Sequence, residues 1–383
     1  MPTNRPRLYY ADWLRILAVF LLIPFHTAIM FVPPGPLTYV RDTHIAFSMS
    51  LVHSFLWMWF MPLLFFVSGL STFYALNFKK ATGFIMERMH KLLLPLAVGT
   101  VTLISVQSYF RAINQRGFRG SFIEFFPQFF NGVYPQGNFD WGHFWFLAYL
   151  FVYSLLALPL FLIWLKKDNR KPEEQCPQNS GWSVGGWIIY APALILMFIE
   201  AVFRIKWPGF QNLINDWANF LSFFTFYIWG FIYARNKAFA KAVSGKYKLS
   251  MSLAITSALA IFFLLYLSGV RLEWSYNWKT ILYLILDGLN SWLWVIFLVG
   301  FGSAKLNFSN RFLKYANEAC FPYYVLHLVP VTVIGFYVIQ LNLQVLIKFS
   351  IITLLSILAT VVLYELFLKR IRWLRWLFGL KSV

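Results

Sequence analysis

Residues 9–32 read YYADWLRILAVFLLIPFHTAIMFV. A bilayer-crossing helix needs about 20 predominantly apolar residues, and this stretch meets that length. It nevertheless carries Asp12, Arg15 and His26. Ionisable side chains are costly at membrane depth, so they are the first functional candidates in the chain. On an unbroken helix, Arg15 and His26 are separated by about 1100° of rotation, about 20° past three full turns. They then share one face, about 16 Å apart along the axis. Asp12 falls one turn before Arg15 and is placed to pair with it. Arg5 and Arg7 precede the stretch as they would a signal peptide. Its length, its charges and the lack of a small-residue cleavage site identify it instead as a retained span.

The rest of the chain extends this reading. Of 383 residues, 60% are apolar and 12% charged, with 43 Phe and 17 Trp. The charged share is about half that of an ordinary globular protein. No soluble interior accommodates so much apolar surface. Apolar windows recur at 9–32, 45–76, 92–110, 143–165, 185–203, 217–234, 250–269, 279–303, 319–340 and 344–368. The expected fold is therefore an all-α integral membrane bundle of about ten spans. The second window is long, and an irregularity is expected near Ser68-Gly69. No internal repeat or separate soluble domain is visible, so 1–383 reads as one transmembrane domain.

The net charge of +19 would suggest nucleic acid in a soluble protein. Here the basic residues lie between spans and concentrate in alternate loops, such as Lys79, Lys80, Arg88 and Lys91, then Lys166, Lys167, Arg170 and Lys171. By the positive-inside rule these loops and both termini are cytoplasmic. Two cysteines, Cys176 and Cys320, exclude a disulfide scaffold. The segment 166–181, with Pro172 and Pro177, reads as a polar connector. The outer segment from Arg111 to Gly142 holds Phe118, Phe122, Phe125, Phe126, Phe129 and Phe130. It is either a membrane-surface anchor or a platform for stacking sugars, with Asp140 and Trp141 the first residues to test.

Within the spans, His26 is the natural general base near neutral pH. Arg15 either serves the site or snorkels to the inner surface. His53 and His327 either orient a substrate or are satisfied structural histidines. Asp287 holds the His26 tautomer, binds hydroxyls or makes a bundle-stabilising hydrogen bond. Glu200 and Glu318 read as interfacial, and Glu365 with Lys369 as an ordinary i,i+4 pair. No His, Cys and carboxylate set has metal-ligand spacing, so no metal is expected.

Asp12-Trp13-Leu14-Arg15, then ten residues, then His26 resembles the first-helix signature of the membrane-bound acyltransferase-3 family. Further resemblances follow in the same order. His53-Ser54-Phe55 leads to Phe65-Phe66-Val67-Ser68-Gly69; Arg88-Met89-His90-Lys91 precedes Leu94-Pro95. His143-Phe144-Trp145-Phe146-Leu147 and Tyr323-Tyr324-Val325-Leu326-His327 come later, and Tyr364-Glu365 closes the pattern. The overall look is most similar to the glucan-modifying branch, which succinylates osmoregulated periplasmic glucans. One departure is Lys91, where the family's Arg-x-x-Arg has its second Arg; a Lys keeps the charge but loses the bidentate fork.

The resemblance implies an O-acyltransferase of the bacterial inner membrane. An acyl group, acetyl or succinyl, passes from cytoplasmic acyl-CoA to a glycan hydroxyl at the outer face. Acyl-CoA is a co-substrate, and no permanently bound cofactor is implied. His26, Arg15 and Asp12 would be catalytic, with His26 as base in a direct transfer. Arg15, Arg88 and Lys91 would hold the donor phosphates. His53, Trp145, Asp287 and His327 would line the substrate site. The lipid bilayer, the donor and the glycan are the expected partners, and nucleic acid is not. The rival reading is a multi-pass transporter or exporter of a glycan precursor. Against it stand the lack of an inverted repeat and of paired broken helices. A purely structural subunit leaves the aligned Arg15 and His26 unexplained.

Overall fold

Proline decides where the long apolar helices break. In the computed structural model, which describes residues 7–33, 35, 38–134, 136–167, 186–268 and 273–380, the first span runs over Tyr9–Phe31. It is not one uninterrupted helix. Tyr9–Phe20 is followed by a turn at Leu21, then Leu22–Ala28 and a tighter 3-10 turn at Ile29–Phe31. Pro24 has no N–H to offer the Phe20 carbonyl, so the ladder is interrupted there. Leu21 keeps right-handed helical torsions, so Tyr9–Phe31 still counts as one candidate span.

The second long span, Phe47–Phe78, breaks at Met58-Trp59 rather than near Ser68-Gly69. Pro62 leaves the Met58 carbonyl without its helical donor, which explains the position. Gly69 has a different purpose. It lies mid-helix in Phe60–Phe78, where a Cβ would strike the Tyr227 carbonyl. Gly230 meets the Phe66 carbonyl in the same way. Two glycines thus let Phe60–Phe78 and Trp217–Arg235 cross backbone to backbone, the small-residue contact favoured between membrane helices.

Helix makes up 78% of the structure. Among the described residues there is no strand, only an isolated bridge between Val133 and Phe139. Seven helices are long and apolar enough to cross a membrane. An eighth crossing results if Arg311–Leu326 and Leu328–Val338, bent by 55°, form one broken span. Pro330 accounts for that bend, since the Leu326 carbonyl lacks its donor and the break falls on His327. The two remaining apolar windows also hold helices, Ile188–Phe203 and Trp217–Arg235. Most of the connector 166–181, with Lys171, Pro172, Cys176 and Pro177, lies outside the described residues, as do Arg5, Arg170, Arg271 and Lys381.

The chain divides into two compact units. The first takes Met1–Ala18, Trp57–Ile85 and Val152–Lys314; the second takes Val19–Leu56, Met86–Phe151 and Tyr315–Val383. Within the first, Trp292 donates from its ring N–H to the Ile189 carbonyl at 2.8 Å. Asn290 donates to the Ala254 carbonyl at 2.8 Å and to Ser257 Oγ at 2.7 Å. Within the second, the aromatic outer segment folds on itself. Ser121 caps the helix Phe122–Phe129 in a reciprocal pair with Glu124. Phe125 and Phe129 are buried against Phe118, Tyr109 and Phe139. Those two rings are structural core and are not offered to a ligand.

Candidate functional site

Four histidines gather in the second unit, each brought there by a different element. His26 lies on Leu22–Ala28 and His53 on Phe47–Trp57. His143 lies in the 3-10 turn Gly142–Phe144, and His327 at the bend between Arg311–Leu326 and Leu328–Val338. The His327 ring centroid stands 5.3 Å from that of His26 and 4.9 Å from that of His143. Phe25 links the remaining one. It stacks on His53 at 4.9 Å and meets His26 edge-on at 5.1 Å.

The hydrogen bonds fix two of the tautomers. A backbone carbonyl only accepts, so the ring nitrogen facing it must carry the proton. His327 donates from Nδ1 to the Tyr324 carbonyl at 2.7 Å, and its Nε2 is buried without a partner. His143 donates from Nε2 to the Val325 carbonyl at 3.2 Å, and its Nδ1 is likewise unpartnered. Tyr324 completes the arrangement by donating its hydroxyl to the His143 carbonyl at 2.6 Å. Each of these two buried imidazoles therefore has a second ring nitrogen without a partner.

His26 lines a small pocket together with Met30, Thr38, Tyr39, Leu328 and Thr332. It has room for little more than a water molecule. Tyr39 ties the pocket to the outer segment. Its hydroxyl donates to Asp140 at 3.1 Å, and Asp140 also pairs with the buried Arg111 at 3.0 Å. The Arg111 guanidinium lies over the rings of Tyr39 and Tyr134, at 4.9 and 4.3 Å.

A family model described as an acyltransferase domain, that of acyltransferase-3, matches residues 8–365. The chain belongs to this acyltransferase family. No curated protein and no solved structure matches it. With its long apolar helices it is a multi-pass membrane acyltransferase.

Among the residues singled out from the sequence, His26, His53 and His327 come together in this acyltransferase. Trp145 sits in the same unit, buried, with its ring edge-on to Tyr149. Arg88 and Lys91 also belong to the second unit. Lys91 lies in a π-helical turn, Met89–Leu93, where Pro95 withholds a donor from its carbonyl. Its ammonium is paired with Glu87 at 2.7 Å. The helix Arg372–Leu377 packs by this turn, with Trp376 facing His90 at 5.7 Å between ring centroids.

Asp12, Arg15 and Asp287 belong to the first unit. Asp12 takes Arg7 at 2.9 Å and Arg15 at a looser 3.5 Å. Arg15 also donates to Ser71 Oγ at 3.2 Å. The charged neighbours of Asp287 are Glu200 and Arg204. Glu200 is buried. Arg204, one turn on, grips it with two bonds of 2.6 and 2.8 Å, and Ser222 donates to it at 2.7 Å. Glu318 is exposed, and Glu365 pairs with Lys369 at 2.8 Å.

The candidate site contains residues that spacing in the sequence did not single out. His143 and Tyr324 were visible inside the HFWFL and YYVLH stretches, but nothing in spacing linked them. Arg111 read as an outer loop charge. Its burial depends on Asp140, 29 residues away, and no local pattern announces that pairing.

Proposed function

We propose that this chain transfers an acyl group from acyl-CoA to a glycan hydroxyl, with His26 as the general base. The observation that carries the reading is a histidine at a pocket, beside a second histidine with an unpartnered ring nitrogen. A sugar hydroxyl is a poor nucleophile until its proton is taken, and imidazole has the basicity to take it at neutral pH. His26 accepts that proton as the acceptor oxygen attacks the thioester carbonyl. It returns the proton to the departing thiolate. His327 stands beside His26, its tautomer fixed by the Tyr324 carbonyl. His53 and Trp145 contact the glycan in this reading. Transfer is direct, with no acyl-enzyme.

Arg88 and Lys91 attract the CoA phosphates in this reading. The donor is acetyl- or succinyl-CoA, and the similarity to the glucan-modifying branch favours succinyl and a periplasmic glucan. The protein crosses the bacterial inner membrane ten times with both termini cytoplasmic. Support comes from a helix at each of the ten apolar windows and from the alternation of basic loops.

The test is CoA release by the purified chain in detergent, given acetyl-CoA and succinyl-CoA separately, with extracted periplasmic glycans as acceptor. Release with one donor that depends on the glycan is the expected result. A transporter gives none, and silence with both donors overturns the reading.

A further inference from the structure

Buried hydroxyls in helices have a standard solution, donation to the carbonyl four residues back. Thr27 donates to Ile23, Thr72 to Ser68 and Ser257 to Leu253, at 2.8–2.9 Å. Thr360 does the same to Ser356 at 2.7 Å. Thr332, on Leu328–Val338, departs from this. It is fully buried, and its Oγ1 has no hydrogen-bond partner at all. An unpaired buried hydroxyl is unfavourable, so it asks for a ligand. Thr353 and Ser356 also have unpartnered hydroxyls, but neither lines the pocket. Thr332 shares that pocket with His26.

The neighbouring polar groups narrow its role. The Tyr39 hydroxyl gives its proton to Asp140. His26 is the base in the proposed reaction and receives a proton. The Thr332 proton remains available to a substrate atom that gains negative charge. In acyl transfer that atom is the carbonyl oxygen of the thioester.

We propose that the Thr332 hydroxyl is the hydrogen-bond donor to the oxyanion of the acyl-transfer intermediate, a role that rests on the acyltransferase reaction proposed above. The acceptor oxygen bonds to the carbonyl carbon while its proton passes to His26. The carbonyl π electrons move onto oxygen, which accepts from Thr332 Oγ1–H. Collapse re-forms the carbonyl, breaks the carbon–sulfur bond and releases the thiolate, which takes the proton from His26. The low-dielectric surroundings strengthen such a bond where charge develops.

The test compares wild type with Thr332→Val and Thr332→Ser in the full-length purified protein. The probes are acetyl-CoA or succinyl-CoA, whichever wild type uses, with extracted periplasmic glycans. Thr332→Val should lower kcat about 10²–10³-fold, as loss of an oxyanion donor does. The KM for both substrates should stay within about twofold, because the contact forms only in the intermediate. Thr332→Ser should stay within about tenfold of wild type, because it keeps the donor. Thermal midpoints give a second readout. Removing an unpartnered hydroxyl should leave Thr332→Val as stable as wild type or more so, which a structural hydroxyl would not. Wild-type kcat in Thr332→Val, a loss confined to KM, or a drop in its thermal midpoint overturns the role while leaving acyl transfer standing. A wild type silent with both donors and glycans overturns the reaction, and this role with it.

Discussion

His327 illustrates how much of the site depends on single atoms. Its Nδ1–H is bound to the Tyr324 carbonyl, and that one bond fixes the tautomer. The Tyr324 hydroxyl in turn supports the turn carrying His143. Tyr324→Phe should therefore leave the fold intact but lower turnover roughly tenfold, equivalent to about 1.4 kcal/mol. Steady-state kinetics with saturating donor checks this, and unchanged turnover would remove Tyr324 from the site. His26, His53 and His327 were legible as candidates because ionisable groups stand out in apolar runs. Their convergence was not, since it depends on breaks at Leu21 and His327 and on packing between distant elements. Thr332 was not legible at all, because a Thr in an apolar helix looks ordinary until its carbonyl partner proves to be missing.

Asp42 and Lys348 make a second residue-scale case. They form an ion pair at 2.7 Å, with side chains 1% and 2% exposed. Lys348 also donates to the Ile339 carbonyl at 2.8 Å, so the loop after the His26 helix is pinned to Val345–Leu363. Asp42 lies outside the spans. Burial acts to raise its pKa, but hydrogen bonds from Lys348 and His44 outweigh it and hold the carboxyl below its ordinary value. A depressed folded-state pKa adds stability that is present above the unfolded value and lost as pH falls through the folded one. Asp42→Asn leaves the Lys348 charge buried and should cost about 3–5 kcal/mol near neutral pH. The gap in thermal midpoint between wild type and variant should narrow below about pH 4, where the unfolded carboxyl titrates. A gap that widens on acidification would contradict the pairing.

At the scale of elements, the expected apolar windows correspond to helices, and the errors lie at their interruptions. The irregularity expected near Ser68-Gly69 is absent, because Phe60–Phe78 runs through it as one helix. The break occurs instead at Met58-Trp59, set by Pro62. Gly69 is kept small by Tyr227, a partner far off in sequence. Gly69→Ala should force the backbones of Phe60–Phe78 and Trp217–Arg235 apart and destabilise by at least about 1–3 kcal/mol. Gly83→Ala is the control, because a Cβ there meets open space. It should be neutral or stabilising by about 0.4–1 kcal/mol. Thermal midpoints in detergent distinguish the two, and equal behaviour would refute the close crossing.

For the whole molecule, the composition made the membrane class plain, and the basic loops gave an orientation to test. Division into two units was not visible, because each is assembled from three separate stretches. A sequence window sees neighbours along the chain, not the elements that close around them. Topology is open to measurement with single cysteines in a background lacking Cys176 and Cys320. Position 241, on Lys237–Gly245, should be labelled only from the cytoplasmic side, and position 131 only from outside. Labelling of both from one side would contradict ten crossings.

The proposed chemistry turns on one role, that of His26 in taking the acceptor proton. Its most direct test is transfer of labelled acyl groups from acyl-CoA to periplasmic glycans by wild type, His26→Ala and His26→Gln, with folding verified by thermal midpoint. Loss of a general base predicts a fall of about 10²–10⁴-fold in both folded variants, with donor binding retained. A folded His26→Ala protein that transfers at the wild-type rate would contradict the account.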